Sequence, residues 1–110
     1  MPTVYKVLAQ SQPAATTNTT LYTVPAATST VVSTITVCNQ TSTQQSYRIA
    51  VRPGGASLAG QHYIAFDVPL QANDTTAITL GITLAATDVI MVYASAGTSL
   101  SFAAFGSEVS

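Results

Sequence analysis

The chain has 110 residues, three Lys or Arg, four Asp or Glu and a net charge of −1; 47% of its residues are hydrophobic and only 6% are charged. An ordinary soluble domain carries about 25% charged residues. This balance argues against intrinsic disorder, which pairs low hydrophobicity with high charge. It also argues against phosphate-backbone binding, which takes about six to ten basic contacts, and the length suits one domain with a single core.

Period-two alternation and β-branched residues predict strands throughout and no helix of useful length. Residues 4–9 (VYKVLA) read as a short first strand or arm, followed by a loop through Thr17. Residues 20–24 (TLYTV) form a strand stopped by Pro25. Residues 31–38 (VVSTITVC) alternate, with Val31, Ile35 and Val37 on one face and Thr34 and Thr36 on the other. After the loop NQTSTQQ, residues 46–52 (SYRIAVR) set Tyr47, Ile49 and Val51 against Arg48 and Arg52. These two runs are expected to pair as a hairpin.

PGGASLAGQ at 53–61 is a long loop, with a turn signal at Gly54 and Gly55. Residues 62–68 (HYIAFDV) place Ile64 and Phe66 inward and end at Pro69. Residues 75–84 (TTAITLGITL) align Ile78, Leu80, Ile82 and Leu84, and Gly81 marks a bulge or a close backbone approach. Residues 88–94 and 100–105 complete about eight strands. The expected fold class is all-β: a single antiparallel β-sandwich, jelly-roll or immunoglobulin-like, with a possible extended N-terminal arm. The arm and first strand take residues 1–20 and the sandwich residues 21–110. The expected core is Val31, Ile35, Val37, Tyr47, Ile49, Val51, Ile64, Phe66, Ile78, Leu80, Ile82, Val89, Met91 and Phe102.

Enzyme chemistry needs polar groups that converge, and none are evident. One His (His62) and one Cys (Cys38) are too few for a metal site within the chain. His62 and Asp67 fall on opposite faces of one expected strand, so no oriented base serves a Ser or Thr nucleophile. PGGASLAG lacks the Lys and the following helix of a phosphate loop. Asn18, Asn39 and Asn73 match the glycosylation triplet, which Thr-rich chains reach by chance. MPTVYKVLAQ has no signal-peptide layout, and no apolar run approaches the length of a membrane helix. The expectation is therefore a non-enzymatic protein without cofactor or metal, not bound to nucleic acid or membrane.

Outward Thr and Ser are good strand residues that can be buried against another subunit without stranding a charge. The runs 31–38, 75–84 and 100–105 hold no charge to guard a strand edge. Both features suit an assembly. The expected interface residues are Val4, Tyr5, Val7 and Leu8 of the arm, Thr34 and Thr36 of the third strand, and Arg48 and Arg52 of the fourth.

LYTVPAATSTVVSTITVCNQT and TTAITLGITLAATDVIMVYASAGTSLSFAAFGSEVS together resemble small virion structural proteins of tailed bacteriophages. The resemblance covers roughly residues 8–110. It implies a one-domain β-sandwich that is part of a virus particle. The first expectation is a capsid cement (decoration) protein on the outer capsid surface, bound to the major capsid protein and other virion proteins, as a homo-oligomer with a trimer favoured. A neck, tail, baseplate or fibre-associated protein is the alternative. A carbohydrate-binding or adhesive module is the alternative of another class, and would need clustered exposed aromatics.

Overall fold

Alternating β-branched and hydroxyl residues fold here as nine strands, described over residues 2–110 in a computed structural model. In chain order these are β1 (Thr3–Ser11), β2 (Thr19–Thr23), β3 (Ser29–Asn39), β4 (Gln45–Arg52), β5 (Tyr63–Leu70), β6 (Thr75–Ile78), β7 (Ile82–Leu84), β8 (Val89–Ala94) and β9 (Leu100–Val109). Two single 3-10 turns, Pro53–Gly55 and Gly60–His62, shape the loop between β4 and β5. One sheet has the order β1-β9-β3-β6, with β7 also on β3; the other has the order β2-β8-β4-β5. All strand pairs are antiparallel. The protein is an all-β sandwich of two antiparallel sheets.

The strand order settles the connectivity. β6 and β7 lie end to end along β3, and count as one interrupted strand. Each sheet then has four positions, filled alternately from the two halves of the chain, which is jelly-roll order. β3 and β4 are therefore not a hairpin. They lie in opposite sheets, and their inward residues Ile35, Val37, Tyr47 and Ile49 meet across the core. Tyr47 and Phe102 close the contact edge-to-face, with ring centroids 6.3 Å apart. Residues 3–11, expected as an arm with a short strand, form a full edge strand along β9.

Bulges account for most misplaced core residues. A bulge inserts one residue and reverses the alternation beyond it. In β3 the ladder with β9 shifts between Val32 and Thr34, so Thr30 and Val32 face the core together with Ile35 and Val37. Val31 consequently faces outward and is exposed. β5 shifts register twice against β4, and Asp67 there adopts φ 50°. Ala65 and Val68 pack on the core, whereas Ile64 and Phe66 face solvent. β5 also runs through Pro69, which a sheet edge tolerates because no inward ladder bond is lost. Leu80 sits in the break between β6 and β7 and is 60% exposed, and the following Gly81 has φ 64°.

Val89 and Met91 are buried as expected, but they alternate with the core-facing Ile90 and Val92 on the other face of β8. The first turn of the 53–62 loop, Pro53–Gly55, packs against β8 on the Val89 side. Asp88 Oδ1 accepts from the Gly54 amide at 2.8 Å, and Arg52 donates to the carbonyls of Ala56 (2.6 Å) and Gly55 (2.9 Å). Val51, Ile78 and Ile82 are half-buried at the core margin. Buried residues outside the expected list include Leu21, Tyr22, Val24, Leu70, Leu84 and Leu100.

Candidate interaction surfaces

The outer face of the β1-β9-β3 sheet carries no charge. Its cross-strand rows read Tyr5, Ser107, Val31, Thr83 and then Val7, Phe105, Thr34. A third row runs Gln10, Ala103, Thr36, Ala77. Lys6 and Glu108, the only charged residues of these strands, alternate to the opposite side. There Lys6 Nζ meets Glu108 Oε1 at 2.9 Å. Glu108 Oε2 also accepts from the Tyr22 hydroxyl of the second sheet, which lies 2.9 Å from Thr30 Oγ1. Burial and the hydrogen bond to Glu108 push the Tyr22 phenol up to about 12, and the bonds from Tyr22 and Lys6 hold the Glu108 carboxyl below its ordinary value.

Of the expected interface residues, Tyr5 is 84% exposed, Val4 and Val7 about half, and Leu8 is half-buried at a bulge packed on the core. Thr34 and Thr36 stand on the uncharged face, half-buried, and the Thr34 hydroxyl is 3.4 Å from that of Thr79. These six residues share one sheet.

Arg48 lies on the opposite sheet. Its guanidinium carbon is 4.2 Å from the Phe66 ring centroid and 4.3 Å from that of Tyr93. Its Nε donates to Asp67 Oδ1 at 2.6 Å and its Nη2 to Oδ2 at 3.3 Å, which raises the guanidinium pKa further. Tyr63 meets Phe66 edge-to-face at 4.9 Å. Tyr63, Phe66 and Tyr93 look scattered in the sequence, and the bulges of β5 bring them together. Arg48 occupies ring faces of Phe66 and Tyr93, so the cluster is organised around an internal cation rather than as a free platform. Arg52 is engaged with its own loop, as described above.

Other polar groups serve the scaffold. His62 is buried and its Nδ1 accepts from the Ala59 amide at 3.1 Å. Asn39 is buried too. Its Nδ2 donates to the carbonyls of Thr43 (2.9 Å), Leu70 (3.1 Å) and Gln71 (3.1 Å), while Oδ1 accepts from the Thr41 amide (2.9 Å) and hydroxyl (2.7 Å). The amide is thereby closed to glycosylation in the folded chain. Among the described residues every buried side-chain polar atom has a partner. Among them, too, no three His, Cys, Asp or Glu side chains come together as a metal site. A shallow depression of about 360 Å³ beside Gln10, Gln12, Thr36, Ser101 and Ala103 contains no titratable side chain.

Comparison with known protein families, curated proteins and solved structures finds no match in any of the three.

Proposed function

We propose that the chain is a non-enzymatic structural subunit of a phage particle, and specifically a capsid cement protein that covers the outer surface of the head in many copies. The observation that carries this reading is the uncharged outer face of the five-stranded sheet, with Tyr5, Val7 and Val31 exposed on it. Hydroxyl and apolar groups can be buried against another protein at low desolvation cost, whereas each unpaired charge would cost several kcal/mol. The face extends over four strand positions spaced about 4.8 Å apart and strands up to about 30 Å long. Such a patch supplies on the order of half a standard interface per copy. Weak contacts repeated over many copies stabilise a shell by mass action.

Jelly rolls occur in both viral capsid and lectin domains, so the fold is compatible with this reading without selecting it. The glycan-binding alternative draws support from the Tyr63, Phe66 and Tyr93 cluster. It is weakened because Arg48 stacks on two of those rings. A neck or tail location would use the same uncharged face and differs in copy number.

Binding of the purified chain to phage heads that lack it tests the proposal. The expected result is saturable binding that barely changes with ionic strength, because the docking face has no charge to screen. Val31→Lys should weaken it at least tenfold. Binding that collapses at high salt, or that ignores Val31→Lys, would overturn the assignment of this face.

A further inference from the structure

We infer that β1 is a self-pairing edge: two copies of the chain align their β1 strands antiparallel about a two-fold axis and join their five-stranded sheets into one. This rests on reading the chain as an assembly subunit, and it names the partner and the geometry.

The sheet edges differ in how well they are protected. β5 carries Pro69, two register shifts and the left-handed Asp67. β2 has five residues and a bulge. β6 and β7 have four and three residues, separated by the break at Leu80 and Gly81. β1 runs for nine residues without a proline. Its one charge, Lys6, is turned toward the second sheet and bound to Glu108. Its bulge lies at Leu8, which leaves the ladder from Thr3 to Val7 regular. Among the described residues β1 pairs in a sheet with β9 alone, so its other edge is open. Among the described residues, three of the seven exposed large hydrophobic ones, Val4, Tyr5 and Val7, lie on this strand. Long edges in free monomers are normally defended by Lys, Pro, bulges or inward charges; β1 has one inward Lys, already paired with Glu108, and one bulge, at Leu8, so the stretch from Thr3 to Val7 is its least protected part.

The occupant follows from what else the chain offers. A ring or filament made by edge pairing needs a second open edge of similar length, and the remaining edges are short, interrupted or guarded. The match for β1 is another β1, and a two-fold axis closes that pairing. An axis perpendicular to the sheet keeps Tyr5 and Val7 of both copies on one outer face. Each Lys6 is neutralised within its own chain, so no bare charges oppose each other at the junction. The regular ladder from Thr3 to Val7 spans about 16 Å and supplies on the order of five backbone hydrogen bonds, about half the roughly ten of a typical interface.

Sedimentation of the full chain at high micromolar concentration, with amide exchange on the same sample, tests the inference. The expected particle has twice the 11.3 kDa chain mass, and the outward amides of β1 exchange slowly. Tyr5→Lys with Val7→Lys should raise the dissociation constant at least tenfold while thermal melting shows a folded chain. Val31→Lys, two strands in from the edge, should leave it unchanged. An 11.3 kDa particle overturns the inference. So does a dimer whose β1 amides exchange freely, or one broken by Val31→Lys and not by the double change. If the double variant does not fold, amide exchange of the unmodified chain decides. A dimer that ignores phage heads would refute the function and leave the edge pairing standing; a monomer that decorates heads would do the reverse.

Discussion

Glu108 ties the two sheets together through a single carboxylate, accepting from Tyr22 on one side and pairing with Lys6 on the other. Its folded pKa is depressed, so its contribution is complete above the ordinary value of 4.5 and fades as pH falls through the lower folded value. Tyr22 acts at the other end of the scale. Its raised pKa means that stability is lost as pH climbs from 10.0 to about 12. Denaturant melts across pH should therefore show an acid limb and an alkaline limb. Glu108→Gln should flatten the acid limb and cost about 1 kcal/mol at neutral pH; an unchanged acid limb would show that the carboxylate is not the group responsible. Asn39 is the second residue with an outsized role. Its amide satisfies backbone groups in the loop after β3 and at the end of β5, which belong to different sheets. Asn39→Ala should cost about 2–4 kcal/mol in a chemical melt, because it removes the shared donor of one buried and two part-buried carbonyls. The sequence signals neither role. Asn39 reads as the start of a polar loop and Glu108 falls beyond the last expected strand, because Leu70 and Gln71 for the one, and Tyr22 and Lys6 for the other, lie tens of residues away.

At the level of elements, the bulges decide how much can be read in advance. β4, where the pattern is uninterrupted, places Tyr47 and Ile49 in the core as its alternation predicts. β3 and β5 do not follow their patterns, because one extra residue reverses the phase and no residue type announces it. The break in β3 does leave one trace in the sequence, the glycine opposite it. Gly106 faces Val32 beside the bulge at Ser33, and a Cβ there would lie 2.0 Å from the Val31 carbonyl oxygen. The Ser33 hydroxyl donates to the Phe105 carbonyl at 3.1 Å and stabilises the distortion. Leu8 of β1 bulges against the same stretch of β9, so the two irregularities lie side by side across three strands. Gly106→Ala should destabilise the fold by about 1–3 kcal/mol or more, since backbone rather than a flexible side chain must give way. Wild-type stability in that variant would show that the sheet can relax around a methyl group. The N-terminal strand illustrates a different limit. Its alternation is legible, but whether an end segment stays free or joins a sheet depends on β9, nearly a hundred residues later.

For the whole molecule, the scarcity of charge and the placement of charge tell one story. Lys6 pairs with Glu108 and Arg48 with Asp67. Arg52 holds the carbonyls of its loop, Asp88 the amides of Gly54 and Ala85, and Asp74 the amide of Thr75. Each of the seven charged residues has a partner within the chain, so none is left to guard an edge or patrol the outer face of the five-stranded sheet. The sequence predicts an uncharged surface made for contact; only the strand order shows that Tyr5, Val31 and Thr34 share one face and that Arg48 stands on the other sheet. The most direct test of an assembly role is a count of the chain in purified particles by quantitative mass spectrometry, with its position fixed by cryo-electron microscopy. The account predicts on the order of hundreds of copies, spread over the outer surface of the head. About six or twelve copies at a vertex or tail, or none in the particle, would contradict it.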